Sequence, residues 1–285
     1  NIYRWPLVAD MGLLYWRKDL MISPPKTTEE LVDISISLIK DNKVKYGYIW
    51  QGKQYEGLSC VFLEIIKGYG GTWIDNKGNV KLNSEQNIQA VKWLQSLIKN
   101  GITPKSVTNF AENEALQLFK SGNAAFMRNW PYAWAELQKE TSKVKNKIGV
   151  TTMVSNKGNK NYATLGSWGF SILKDSDNKI ETFRIIEYLT SESSQTKLFI
   201  NYGYTPTSRN IYKNKELTNK YPILDSLKKA LDVTTSRPET PNYAQISDVL
   251  QRNLSSILTN KYSPKEGMNN AQFNTIRILK STGGI

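Results

Sequence analysis

Apolar positions along this chain follow two alternating periods. Within residues 24–42, PPKTTEELVDISISLIKDN, the residues Leu31, Ile34, Leu38 and Ile39 recur at helical spacing, and Thr27 followed by Glu30 has the spacing of a capping box. Residues 55–71, YEGLSCVFLEIIKGYGG, predict a second helix closed by glycines that can take the left-handed C′ conformation. Residues 84–101 place Ile88, Val91, Leu94 and Ile98 on one face and stop at Gly101, and AENEALQLFKSG (111–122) predicts a further helix. Between them, VKYGYIW (44–50), NAAFMRN (123–129), KIGVTTMV (147–154) and WGFSIL (168–173) read as strands, and residues 71–82 as a short hairpin around Asn76–Gly78. SNKGNKNYATLGS (155–167) reads as a polar loop, and from Ser194 onward the pattern is mainly helical. Alternating strands and helices predict an α/β fold.

The strand at 123–129 runs directly into NWPYAW (129–134), which crowds Trp130, Tyr132 and Trp134 around Pro131. Proline suits a helix's first turn, so Trp130 is expected at a strand-to-helix junction. Open α/β sheets hold ligands at such junctions, beyond the carboxyl ends of their strands. Trp50 and Tyr55 bracket a second junction, and Trp168 follows the small pair Gly166–Ser167 at a predicted strand start. Two readings fit these aromatics. They pack a core, or they offer flat faces to a partly apolar ligand such as a sugar, whose hydroxyls would go to polar neighbours.

Composition removes several alternatives. With no histidine, Ser-His and Cys-His nucleophiles and His-ligated metal sites are excluded. The single cysteine, Cys60, forms neither an internal disulfide nor a cysteine metal cage, and a small buried side chain is its favoured reading. A formal charge of +13 raises nucleic acid or an anionic membrane as partners, but the lysines are scattered and form no dense stripe, so no nucleic-acid partner is expected. No run approaches the roughly 20 apolar residues of a membrane span. GYGGTW (68–73) follows a helix rather than a strand, so it is not expected to cradle phosphate. Carboxylates, among them Asp10, Glu56, Glu112, Glu114, Glu136 and Asp248, keep a glycoside hydrolase open as an alternative, though no local pattern singles out a pair. The N-terminus shows neither a signal peptide nor an initiator methionine, so a processed chain or one from a longer precursor is expected.

Several motifs then carry a resemblance. DMGLLYWRKDL (10–20) with PPKTTEELVD, WQGKQYEGL (50–58), GNAAFMRNWPYAW (122–134), TLGSWGFSI (164–172) and SRPETPNYAQISDVLQ (236–251) follow one another over nearly the whole chain. In order and spacing they resemble the family 1 extracellular solute-binding proteins of ABC importers, in the trehalose/maltose-binding branch. The resemblance implies a two-lobed periplasmic-binding-protein fold (type II) closing around a sugar. It implies Trp130 and Trp168 as aromatic walls, Arg237 as donor to sugar hydroxyls, Asp10 as acceptor, and Gly166 as a point of close backbone approach. Tyr55, Glu56 and Tyr132 would face the same cleft, and Trp134 would point elsewhere, into the core. Members carry a further stretch ahead of the equivalent of DMGLLY. By the resemblance, 10–147 with 195–285 form a nearly complete C-terminal lobe, and 1–9 with 148–194 the hinge and part of the N-terminal lobe. It also implies no catalysis, no cofactor and no metal. The expected state is a monomer, periplasmic or lipid-anchored, that hands a disaccharide or glucoside (trehalose, maltose, sucrose or glucosylglycerol) to membrane permease subunits.

Overall fold

Five consecutive residues, Leu13–Arg17, are buried without alternation, as expected of a strand covered on both faces. In the computed structural model, which describes residues 3–281, they form the inner strand of a four-stranded sheet. The chain runs β1 (Trp5–Met11), β2 (Leu13–Arg17), α1 (Thr28–Lys40), β3 (Tyr46–Ile49), α2 (Glu56–Gly68), α3 (Glu85–Lys99), α4 (Glu112–Lys120), β4 (Ala124–Asn129) and α5 (Tyr132–Leu137). It continues through β5 (Ile148–Thr151), β6 (Ala163–Phe170), α6 (Lys179–Leu189), α7 (Glu192–Tyr202), α8 (Lys215–Lys220), α9 (Ile223–Leu231), β7 (Thr234–Thr235), α10 (Tyr243–Leu258) and α11 (Pro264–Ser281).

The larger sheet has the order β3-β4-β2-β5, with β3 and β4 parallel and β2 antiparallel to both its neighbours. Side chains leave its two faces with period two. Leu14, Trp16, Tyr48 and Phe126 enter one core with α2, α3, α10 and α11, while Leu13, Tyr15, Ile49 and Met127 enter a second with α4, α5 and α9. The result is an α/β/α sandwich. The smaller sheet, β1-β6-β7, pairs β1 and β6 antiparallel, with Asp10 opposite Gly166 and Val8 opposite Trp168.

Helix boundaries follow the sequence pattern. The Thr27 hydroxyl accepts from the Glu30 amide (3.1 Å) to cap α1, although the Glu30 carboxylate reaches back to the Lys26 amide (2.7 Å) rather than to Thr27. Gly70 and Gly101 take left-handed φ of +78° and +72° past the ends of α2 and α3. Strands depart more. β1 and β2 lie where residue patterning alone predicted none. β6 starts at Ala163, so Gly166–Ser167–Trp168 lie inside a strand rather than at its start, and the end of the expected 155–167 loop, from Ala163 on, is sheet. The expected hairpin at 71–82 reduces to one bridge, Ile74–Val80, with Asp75 accepting from the Lys77 and Asn79 amides. β5 hydrogen-bonds β2, so 148–151 share a sheet with 13–17 although the expected lobe division separates them. Residues 1–2 and 282–285, which that division includes, lie outside the described residues.

The chain passes between the two sheets at Gly12. A Cβ there would lie 1.8 Å from Glu64 Oε1 and 2.7 Å from Arg128 Nη2, so only glycine fits. Beneath it, Arg128 grips Glu64 through two bonds, Nη2 to Oε1 (2.5 Å) and Nε to Oε2 (3.0 Å), with both side chains fully buried. Gln51 Oε1 accepts from Arg128 Nη1 (3.2 Å), and the Thr164 amide donates to Glu64 Oε1 (3.2 Å). One ion pair thus joins α2, β4, β6 and the crossover. Removing one partner of such a pair leaves an uncompensated buried charge, so Glu64→Ala should lower the unfolding free energy by about 3–5 kcal/mol. Denaturant titration checks this. A loss below about 1 kcal/mol, the size of an exposed pair, would contradict the assigned role.

Candidate functional site

Strand ends and helix starts from both sheets converge on a cavity of about 600 Å³. All eight residues singled out from the sequence line it: Asp10 on β1, Tyr55 and Glu56 at the start of α2, Trp130 and Tyr132 after β4, Gly166 and Trp168 on β6, and Arg237 ahead of α10. Glu112, at the start of α4, and Tyr204, after α7, join them without having been selected.

Trp130 is held from several sides. Its Nε1–H donates to Glu112 Oε1 (3.1 Å), and its amide donates to Asn129 Oδ1 (2.8 Å). The buried Tyr15 hydroxyl donates to its carbonyl (2.8 Å). The Arg128 guanidinium lies 4.0 Å from the ring centroid, a close cation–π contact. Gly166 explains how β6 fits alongside, because a Cβ there would come within 3.2 Å of Trp130 Cζ3 and 3.3 Å of Asp10 Cβ. The missing side chain therefore admits Trp130 itself to the strand, a closer cause than the ligand approach implied by the resemblance. Trp168 differs sharply from Trp130, since 71% of it is exposed at the cavity rim.

Glu56 and Arg237 engage each other. Arg237 Nη1 donates to Glu56 Oε1 (2.8 Å), the Tyr243 hydroxyl donates to the same oxygen, and Ser247 Oγ donates to Oε2 (2.7 Å). This cluster ties the start of α2 to α10. Arg237 is thus an ion-pair partner as well as a cavity residue, half-buried at the wall. Tyr55 folds back over Gly57, where a Cβ would meet its hydroxyl at 2.1 Å. Burial, together with the charge of the nearby Glu112 carboxylate, pushes the pKa of that hydroxyl above the usual range. Burial and Glu112 likewise push Tyr132 up to about 12. Cys60 lines the floor, and burial pushes its thiol up to about 12, leaving it unreactive. Trp134 turns away from the cavity as expected, but it is half-buried beside a separate groove with Trp16 rather than fully in the core.

Arg128 and Glu112 are the functional neighbours that sequence reasoning missed. Arg128 sits in a strand otherwise read as core. Glu112 was one carboxylate among many, and only the fold brings it to Trp130. Among the described residues, no cluster of three or more His, Cys, Asp or Glu could hold a metal ion, and no helix is long and apolar enough to cross a membrane. The arrangement offers hydrogen-bond acceptors, one guanidinium and aromatic surface to a compact polyhydroxy ligand.

Comparisons with known proteins agree in kind. The family of bacterial extracellular solute-binding proteins matches residues 1–196. A probable ABC transporter-binding protein of Deinococcus radiodurans is 36% identical over 286 residues, covering 96% of this chain and 68% of its own length. Among solved structures, maltose-bound T. maritima MalE3 superposes with a TM-score of 0.93 at 34% identity, covering 98% of this chain and 73% of that one. A ribitol complex from Agrobacterium radiobacter K84 superposes with a TM-score of 0.87 at 24% identity over 97% of this chain and 71% of that one, which shows the shared two-lobed fold.

Burial raises Asp10 to about 6, against the lowering pull of Arg128. The folded protein therefore holds a proton that the unfolded chain releases near pH 4, and this contribution to stability is lost as pH rises from about 4 to 6. Asp10→Asn should be more stable than the parent at pH 7, by on the order of 2 kcal/mol, and equal to it below pH 4. Urea midpoints at the two pH values check this, and an unchanged difference between them would contradict it.

Proposed function

Because the chain belongs to the bacterial extracellular solute-binding proteins, we propose that it is the sugar-binding component of an ABC importer. The observation that carries the reading is Trp130, an indole fixed at the cavity by Glu112, Arg128 and Tyr15 before any ligand arrives. A sugar ring stacks its C–H face on such a surface, and fixing the surface beforehand removes an ordering cost from binding. A cavity of about 600 Å³ suits a disaccharide or a glucoside of similar size. The T. maritima neighbour holds maltose, which favours maltose, trehalose, sucrose or glucosylglycerol as the ligand class.

Asp10 accepts from sugar hydroxyls, and the free nitrogens of Arg237 donate to them, with Glu56 orienting that guanidinium. Trp168, Tyr55 and Tyr132 complete the aromatic wall. Trp168 is exposed because it covers a ligand rather than a core. Residues 10–147 with 195–285 form one lobe, and 1–9 with 148–194 contribute to a second. Support comes from the separate β1-β6-β7 sheet, the crossing at Gly12 and the exposed Ile180, Ile185 and Tyr188 of α6. On this reading β5 marks the near side of the boundary. The protein acts as a monomer in the periplasm or on the outer face of the cytoplasmic membrane, and its closed form is read by permease subunits. It performs no hydrolysis. Family members bind solutes, and Glu56 is occupied by Arg237, Tyr243, Ser247 and Gln251 as donors.

Tryptophan fluorescence titration with maltose, trehalose, sucrose and glucosylglycerol tests the reading. One sugar should bind saturably and be recovered unchanged. Trp130→Ala should weaken it by about tenfold or more, given the apolar surface removed. Trp168→Ala should weaken it less, because its contacts are one-sided. No response to any sugar, or release of monosaccharides, would overturn the proposal.

A further inference from the structure

The charges lining the cavity are unbalanced in a way that bears on the ligand. Across the chain, Lys and Arg outnumber Asp and Glu by 38 to 25. In the cavity the ratio inverts: Asp10, Glu56 and Glu112 face one guanidinium, Arg237. Glu56 is compensated directly, by Arg237 and two hydroxyls. Glu112 opens α4, where the helix N-terminus favours a negative charge, and it also receives Trp130 Nε1–H. Asp10 has neither kind of support. It lies on a strand, and among the described residues no side chain or amide donates to its carboxylate. Arg128, whose charge acts on it, directs its Nε, Nη1 and Nη2 hydrogen bonds to Glu64 and Gln51 instead.

A bound sugar strips water from Asp10 and encloses the charge further. Hydroxyl donors offset this in part, while a protonated amine offsets it by direct ion pairing. Resting on the sugar-binding reading above, we propose that this cavity is built for a basic sugar, one bearing an amino group that meets the Asp10 carboxylate while its ring stacks on Trp130. The same charge balance disfavours uronic acids and phosphorylated sugars, because the cavity's one guanidinium, Arg237, already pairs with Glu56.

The test is calorimetric titration of the protein with maltose and trehalose, their mono-amino-deoxy derivatives substituted at each ring position in turn, and the corresponding uronic acids. For whichever parent sugar binds, at least one amino derivative should bind about tenfold tighter, as a charge-assisted hydrogen bond replaces a neutral one. The uronic acids should bind more weakly than their parent sugars. In Asp10→Asn, which keeps the side-chain shape, both sugars should bind more weakly than to the parent protein, and the amino derivative should lose its advantage over its parent sugar. The proposal is overturned if no amino derivative exceeds its parent, or if the advantage survives in Asp10→Asn. Failure of every sugar, neutral or basic, would instead overturn the sugar-binding reading and this proposal with it.

Discussion

The buried ion pair between Glu64 and Arg128 is the constraint on which the rest of this structure hangs. Both groups are fully enclosed, and an enclosed charge is tolerated only with a matched partner and filled hydrogen-bond positions. The fold supplies these from four separate elements: the carboxylate from α2, the guanidinium from β4, an amide from β6 and the Gln51 side chain after β3. The crossover at Gly12 closes over the pair with no space for a side chain. A shift of any of these elements by one residue would leave a charge unpaired, so the pair registers the two sheets against each other.

That registration reaches the cavity directly. Arg128 is pinned by Glu64 and presents its guanidinium to the ring of Trp130. Asp10 lies two residues before Gly12 and opposite Gly166, and Gly166 in turn lies against the edge of Trp130. The aromatic surface and the carboxylate beside it are thus set by backbone geometry and a buried charge pair. Such a surface suits a binding protein, whose affinity benefits when its groups are ordered before the ligand arrives. The Glu56–Arg237–Tyr243–Ser247 cluster does the same for the opposite wall by fastening α10 to α2.

Much of this was legible in the sequence, and the failures have physical causes. Helices announced themselves through Thr27, Gly70 and Gly101, because capping and left-handed termini depend on local chemistry. β2 escaped notice because burial on both faces removes the alternation that marks a strand. β6 carries glycines, a serine and an exposed tryptophan, a composition that reads as loop until a ligand face is considered. Of the eight cavity residues, Tyr55, Trp130 and Tyr132 stood out at element junctions, and Trp168 at an expected strand start that lies inside β6. Asp10, Glu56, Gly166 and Arg237 came from the motifs that carry the family resemblance. Arg128 and Glu112 could not be found that way. Their roles run through contacts with Glu64 and Trp130 that exist only once the chain has folded.

The central claim is that Trp130, held by Arg128 and Glu112, is the surface on which the ligand rests. Nitrogen-15 NMR of the tryptophan indole groups tests it most directly, with the Trp130 signal identified by its loss in Trp130→Phe. On addition of a binding sugar, the Trp130 indole resonance should move furthest and the Trp168 resonance should follow, while Trp16 and Trp134 beside their separate groove stay in place. A sugar that shifts Trp16 and Trp134 and leaves Trp130 unmoved would contradict the account.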